Sequence, residues 1–123
     1  MSNFAIVFEQ AYQDALAHSS FAKIHELISQ SPRYAYNYAL NIDRCPHEET
    51  RVFACKDSYY AYLYAKEVDK CPHEETRNAV CRDSLHAFLY ARDIDKCPME
   101  ETWLAVIGTE FEEKYRKFFD RFH

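Results

Sequence analysis

The stretch Asp69-Lys-Cys-Pro-His-Glu-Glu-Thr76 occurs almost word for word 26 residues earlier, as Asp43-Arg-Cys-Pro-His-Glu-Glu-Thr50. It occurs again 26 residues later, as Asp95-Lys-Cys-Pro-Met-Glu-Glu-Thr102. A fixed period of this size predicts an array of like supersecondary units rather than one irregular domain. Residues 31–56, 57–82 and 83–108 are three clear copies; the first two share 14 of 26 residues, the last two 15. Tyr12 falls where Tyr38 and Tyr64 fall, so 3–30 reads as a further, degenerate copy. Terminal copies are expected to diverge because one face meets solvent.

Each copy opens on a residue suited to cap a helix, Ser31, Asp57 or Asp83. Pro32 follows at the first helical position, where its missing N–H is harmless. Ala61, Tyr64, Ala65 and Val68 then recur at i, i+3, i+4 and i+7, mirrored by Ala35, Tyr38, Ala39, Ile42 and by Ala87, Tyr90, Ala91, Ile94. That spacing predicts one buried stripe along a helix. A proline pushes the residue before it out of helical geometry, so Asp69-Lys70-Cys71 is expected to be a short corner. Pro72 is placed at the first position of a second helix ending near Cys81.

Before the clear copies, Phe4, Val7, Phe8, Ala11, Tyr12, Ala15 and Leu16 predict an amphipathic helix with Ser2 as cap. Ser19 or Ser20 would cap a shorter one through Phe21, Ile24, His25, Leu27 and Ile28. After them, Thr109 is expected to cap a final helix over 110–122, built on Phe111, Tyr115, Phe118 and Phe119 and held by Trp103, Leu104 and Ile107. The expected fold is all-α: a single domain over 1–123, a short solenoid of stacked helical hairpins, with residues 109–123 as its C-terminal cap.

Residues 31–108, and most plainly Asp57-Ser-Tyr-Tyr-Ala-Tyr-Leu-Tyr-Ala-Lys-Glu-Val followed by Pro72-His-Glu-Glu, resemble the 26-residue Tyr/Ala-rich helical repeats of many bacteriophage and giant-virus proteins. Those repeats run Asp-Pro-x-x-Ala-Tyr-x-Tyr-Ala, a corner, then Pro-Glu-Ala-Glu. The chain departs from them at the corner, where Lys70-Cys71 stands in place of Gly-Arg-Trp. The resemblance implies a viral or phage-like origin and carries no assigned activity with it.

A formal charge of −5 opposes general affinity for nucleic acid, which needs clustered Lys and Arg. No apolar run reaches the ~18 residues of a membrane span, and the N-terminal residues show no basic leader. The expectation is a soluble protein of the cytoplasm, the host's if viral. Five cysteines, an odd number and at recurring positions, read as free thiols rather than a disulfide framework.

Cys45/His47 and Cys71/His73 are the metal-ligand candidates, because thiolate and imidazole both bind zinc. Each copy offers only two such donors, stacked copies should lie about 10 Å apart, and Met99 takes the histidine's place in the third copy. The structural reading is therefore favoured, with Cys55 and Cys81 in the core and Cys45, Cys71 and Cys97 plugging the corners. The tyrosines are read as packing, not as base-stacking platforms.

Glu48/Glu49, Glu74/Glu75 and Glu100/Glu101 would line up as an acidic ridge. They complement the helix dipole, with Arg51 and Arg77 as i+3 partners of Glu48 and Glu74. They are also the candidates for docking a basic partner surface. No catalytic residue and no cofactor is expected. The function read from the sequence is a non-enzymatic protein-interaction module, a small viral accessory protein that binds or inhibits a host or viral protein. The alternatives are a metal- or redox-responsive module built on the Cys-Pro-His corners and a structural virion component.

Overall fold

The computed structural model describes residues 3–17 and 21–120, with side chains described from residue 9 in the first helix and residue 22 in the second. Ser2, Ser19 and Ser20 lie outside the described residues, as do 121–123 and the side chains of Phe4, Val7, Phe8 and Phe21.

Every regular element among the described residues is helical, and none is a strand. In order these are α1 (Asn3–Ala17), α2 (Phe21–Gln30), α3 (Pro32–Tyr38), α4 (Glu48–Ala54), α5 (Ser58–Leu63), α6 (Glu74–Val80), α7 (Ser84–Tyr90), α8 (Glu100–Val106) and α9 (Glu112–Asp120). They pack in consecutive pairs, α1 on α2, α3 on α4, α5 on α6 and α7 on α8, while α9 lies against α8. Successive pairs touch through like members: α3 meets α5, α5 meets α7, α4 meets α6 and α6 meets α8.

The caps form as expected. Ser31 Oγ accepts from Tyr34 N, Asp57 Oδ1 from Tyr59 N and Tyr60 N, and Asp83 Oδ1 from His86 N. What ends these helices was not expected. The α3, α5 and α7 segments each widen into a π-helical turn, Ala39–Asp43, Tyr64–Asp69 and Ala91–Asp95. Each turn closes on a basic residue in left-handed geometry: Arg44 (φ 55), Lys70 (φ 57) and Lys96 (φ 58). Their amides bond back to Ala39 O, Ala65 O and Ala91 O at 2.8 Å. A positive φ turns the chain sharply, and a side chain there is strained.

Pro46, Pro72 and Pro98 do not begin the second helices. The helices start two residues later, at Glu48, Glu74 and Glu100, after His47, His73 and Met99 in extended geometry with no side-chain cap. The physical reason is a hydroxyl, described below, that holds both backbone groups of the extended residue.

The stripes of the second and third copies are buried throughout: Ala61, Tyr64, Ala65 and Val68, then Ala87, Tyr90, Ala91 and Ile94. In the first copy Ala35 and Ala39 are buried, but Tyr38 is half-buried and Ile42 is 49% exposed. Val68 and Ile94 pack among Ala54, Ala79 and Val80 of the preceding copies' second helices and their ends. Ahead of Ile42 the corresponding helix is α2, which buries Ile24, Leu27 and Ile28 against α3 instead.

At the other end, Tyr115 and Phe119 are buried with Phe111 and Phe118 beside them. Thr109 Oγ1 accepts from Phe111 N, yet the helix proper begins only at Glu112. Of the three residues expected to hold this cap only Trp103 does so, its ring 5.5 Å from that of Tyr115. Leu104 (61% exposed) and Ile107 (45%) face solvent.

Candidate functional site

The chemistry-bearing residues gather at the corners, where two kinds of polar interaction recur. The first is a tyrosine clasp. Tyr64 is fully buried, and its hydroxyl lies 2.7 Å from Thr50 Oγ1. That hydroxyl accepts the N–H of His47 at 3.0 Å and faces the His47 carbonyl at 3.0 Å. Twenty-six residues on, Tyr90 does the same with Thr76 (2.8 Å) and with His73 N and O (3.0 and 3.1 Å). At the C-terminal end Tyr115 of α9 takes the role, 2.9 Å from Thr102 Oγ1 and 3.2 and 3.3 Å from Met99 N and O. Burial pushes all three phenols' pKa values up, while the Thr and backbone hydrogen bonds pull the other way. A hydroxyl that meets an N–H and a C=O of one residue fixes that residue as extended, and so fixes where the second helix begins.

The second interaction is an ion pair across copies. Arg51 grips Asp69 with Nη2 2.6 Å from Oδ1 and Nε 3.0 Å from Oδ2. Arg77 grips Asp95 in the same fork, at 2.6 and 3.1 Å. The Asp69 side chain is wholly buried and that of Asp95 nearly so. The hydrogen-bonded carboxylate raises the pKa of each guanidinium. These arginines are therefore not the i+3 partners of Glu48 and Glu74, because a buried aspartate one copy later offers a bidentate, desolvated acceptor that a solvated glutamate cannot match.

Asp43 occupies the equivalent place in the first copy, where position 25 holds His25 instead of arginine. His25 Nδ1 turns to Glu49 Oε1 at 2.7 Å. Burial accordingly pushes the Asp43 carboxyl above its usual range, with His47 acting in the opposite direction.

The six glutamates, Glu48, Glu49, Glu74, Glu75, Glu100 and Glu101, are all exposed in the first turns of α4, α6 and α8. Among the described residues only Glu49 of the six has an ion-pair partner, His25. Arg44, Lys70 and Lys96 are exposed at the same corners, so this end of the protein is not uniformly acidic.

Cys45, Cys71 and Cys97 do not plug the corners: all three are exposed, since the clasp already fills that space. Cys55 and Cys81 are half-buried against Ala79 and Val80, and burial pushes their thiols up to about 12 and about 11. Cys45 Sγ lies 3.5 Å from His47 Nε2, and Cys97 Sγ lies 3.9 Å from Met99 Sδ. His73 leans the other way, its Nε2 3.7 Å from Asp69 Oδ1. Among the described residues no three His, Cys, Asp or Glu side chains are placed to share one metal ion. Nor is any described helix long and apolar enough to cross a membrane.

A cleft of about 370 Å3 opens between the first two corners, lined by Ala39, Leu40, Cys45, Pro46 and Val68 with the charged Arg44, Glu67 and Lys70. Tyr59 and Lys66 are exposed and Leu63 is half-buried on the outer side of α5 and its π-turn. Comparison with protein-family models, curated proteins and solved structures returns no match.

Sequence reasoning missed both the clasp and the cross-copy pair. The signal for the first was present: a tyrosine at core spacing must find a partner for its hydroxyl, and Thr50, Thr76 and Thr102 recur in step with it.

Proposed function

We propose that this chain is a short solenoid of stacked helical hairpins with a 26-residue period, and that it acts as a non-enzymatic module presenting a surface to another protein. The observation that carries this reading is the division of the recurring polar residues. Those that are buried, the tyrosines, threonines, arginines and aspartates, are hydrogen-bonded to one another and hold the corners. Those that remain are exposed: the basic Arg44, Lys70 and Lys96, and glutamate pairs at the starts of α4, α6 and α8, five of the six without an ion-pair partner among the described residues. Groups engaged in structure are not free for acid-base chemistry, whereas a row of free carboxylates suits a basic protein surface. The resemblance to repeats of phage and giant-virus proteins supports a viral origin, and with it the reading of a small accessory protein that binds a host or viral protein in the host cytoplasm.

The test is capture of a partner by the immobilised chain, with Glu74→Lys/Glu75→Lys as the comparison. Loss of a captured protein, with capture by the unchanged chain weakening as salt rises and helical content retained, is the expected result. Capture that survives both charge reversal and high salt would move the binding surface to Tyr59, Leu63 and Lys66.

A further inference from the structure

The two complete joints show what surrounds a guanidinium in this protein. Arg51 lies between the Asp69 carboxylate, which it grips with two nitrogens, and the Tyr64 ring, whose centre is 5.8 Å from its guanidinium carbon. Arg77 repeats this between Asp95 and the Tyr90 ring, at 6.0 Å. A carboxylate that accepts a fork and an aromatic face that meets the cation are the two surfaces a guanidinium takes best. In both joints those surfaces come from one stretch, a tyrosine and the aspartate five residues on, while the arginine comes from the copy before.

Tyr38 and Asp43 repeat that tyrosine and aspartate in the first copy. The same π-helical turn joins them, closed by Arg44 N on Ala39 O at 2.8 Å just as Lys70 N closes on Ala65 O. The cation is missing. His25 stands in the arginine's place, and its Nδ1 is 2.7 Å from Glu49 instead. His47, whose equivalent His73 leans toward Asp69, has its Nε2 3.5 Å from Cys45 Sγ. Among the described residues Asp43 therefore has neither a hydrogen bond nor an ion pair, and no cation lies over the Tyr38 ring. Both residues are only half-buried, and His25 is exposed. Burial without a partner is what holds the Asp43 carboxyl above its usual range.

We propose that Tyr38 and Asp43 form an open guanidinium slot, which takes an arginine side chain from a partner protein. The occupant of each filled slot is an arginine presented by an adjoining helix, so the group that completes the open one is an arginine presented by another chain. It lies where Arg51 lies in the next joint, forked on Asp43 with its plane toward Tyr38. Lysine, a point charge without a plane, meets only half of such a slot. The site uses none of the glutamates, so it can fail while the acidic surface holds, and the reverse.

The experiment is titration of the isotope-labelled full chain at neutral pH with acetyl-arginine amide, the residue blocked as it is within a polypeptide, followed by backbone amide chemical shifts. Saturable shifts are expected at Asp43 and Arg44, and none at Asp69 or Asp95, whose slots are filled. Acetyl-lysine amide forgoes one charge-assisted hydrogen bond of the fork and should bind roughly tenfold more weakly. Asp43→Asn should abolish the shifts. His25→Arg should abolish them too, by filling the slot from within, and should raise the melting temperature as it does so. Three outcomes overturn the proposal. One is that shifts are absent, or equal at the three aspartates. Another is lysine amide binding as well as arginine amide. The third is binding that survives either Asp43→Asn or His25→Arg.

Discussion

Removing one oxygen atom tests the clasp. In Tyr90→Phe the ring remains and fills the same buried volume, so no cavity term arises. The hydroxyl it removes accepts the His73 N–H at 3.0 Å, lies 3.1 Å from the His73 carbonyl and sits 2.8 Å from Thr76 Oγ1. Thr76 can still donate to the His73 carbonyl, which is 3.1 Å away. The His73 N–H has no other partner among the described residues and is part-buried, so leaving it unsatisfied should cost toward the lower end of the about 1–3 kcal/mol of a buried donor. Thr76→Val leaves the tyrosine to serve both backbone groups, so it should cost only the net value of one hydrogen bond, about 0.5–1.5 kcal/mol. The double variant should cost more than the sum, because the His73 carbonyl, which either side chain alone still serves, then loses both donors. Urea denaturation of the two single variants, the double and Tyr59→Phe gives all four numbers. Tyr59 is exposed, and its change should stay within ~0.5 kcal/mol. If Tyr90→Phe is as mild as Tyr59→Phe, the clasp does not hold the corner.

The other expectations concern charge and thiols. Arg77→Ala leaves the nearly buried Asp95 carboxylate unpaired and should destabilise the fold by ~3–5 kcal/mol in denaturant titration. Substituting the aspartates by asparagine should have opposite signs. Asp43 has its pKa raised by burial, so its contribution is greatest when it is protonated and falls as pH rises through its folded pKa; Asp43→Asn should raise the melting temperature at pH 7 and do little below about pH 4. Asp69→Asn should lower the melting temperature at pH 7, since Arg51 loses its bidentate acceptor. In the native protein near pH 8, Cys45, Cys71 and Cys97 should react quickly with a thiol reagent, and Cys55 and Cys81, whose burial raises their pKa to about 12 and about 11, only after unfolding.

The helices of the three copies were legible because their determinants are local. Asp57 and Asp83 cap, the Ala61–Tyr64–Ala65–Val68 stripe is buried, and Glu74 and Glu75 occupy a first turn. The corners were not, because their determinants lie in another copy. Arg51 looked like the neighbour of Glu48 on one helix face, and nothing in helical spacing indicates an aspartate 18 residues later. Pro72 looked like a helix start because proline favours that position; the hydroxyl of Tyr90, which keeps His73 extended, is 17 residues away. The exposed Ile42 has the same origin: its spacing was right, but the α2 residues in the covering place, Leu27 and Ile28, pack with Tyr34 and Ala35 of α3 instead. Of the candidate site, the glutamates were placed correctly on the surface, and their surroundings of exposed cations were not foreseen.

No copy closes its own corner. The threonine and arginine come from one stretch, and the tyrosine and aspartate that meet them come from the next. The full joint of clasp and ion pair thus recurs twice, at Thr50–Arg51 with Tyr64–Asp69 and at Thr76–Arg77 with Tyr90–Asp95, and these two are interchangeable. Excising residues 57–82 would join Lys56 to Asp83 and bring Tyr90 and Asp95 to Thr50 and Arg51, partners of the same kinds as those they left. Only this middle unit can be removed without a compensating substitution: excising 31–56 would instead bring Tyr64 and Asp69 to Ile24 and His25, and a cut through the middle of a unit strands half a joint at each end.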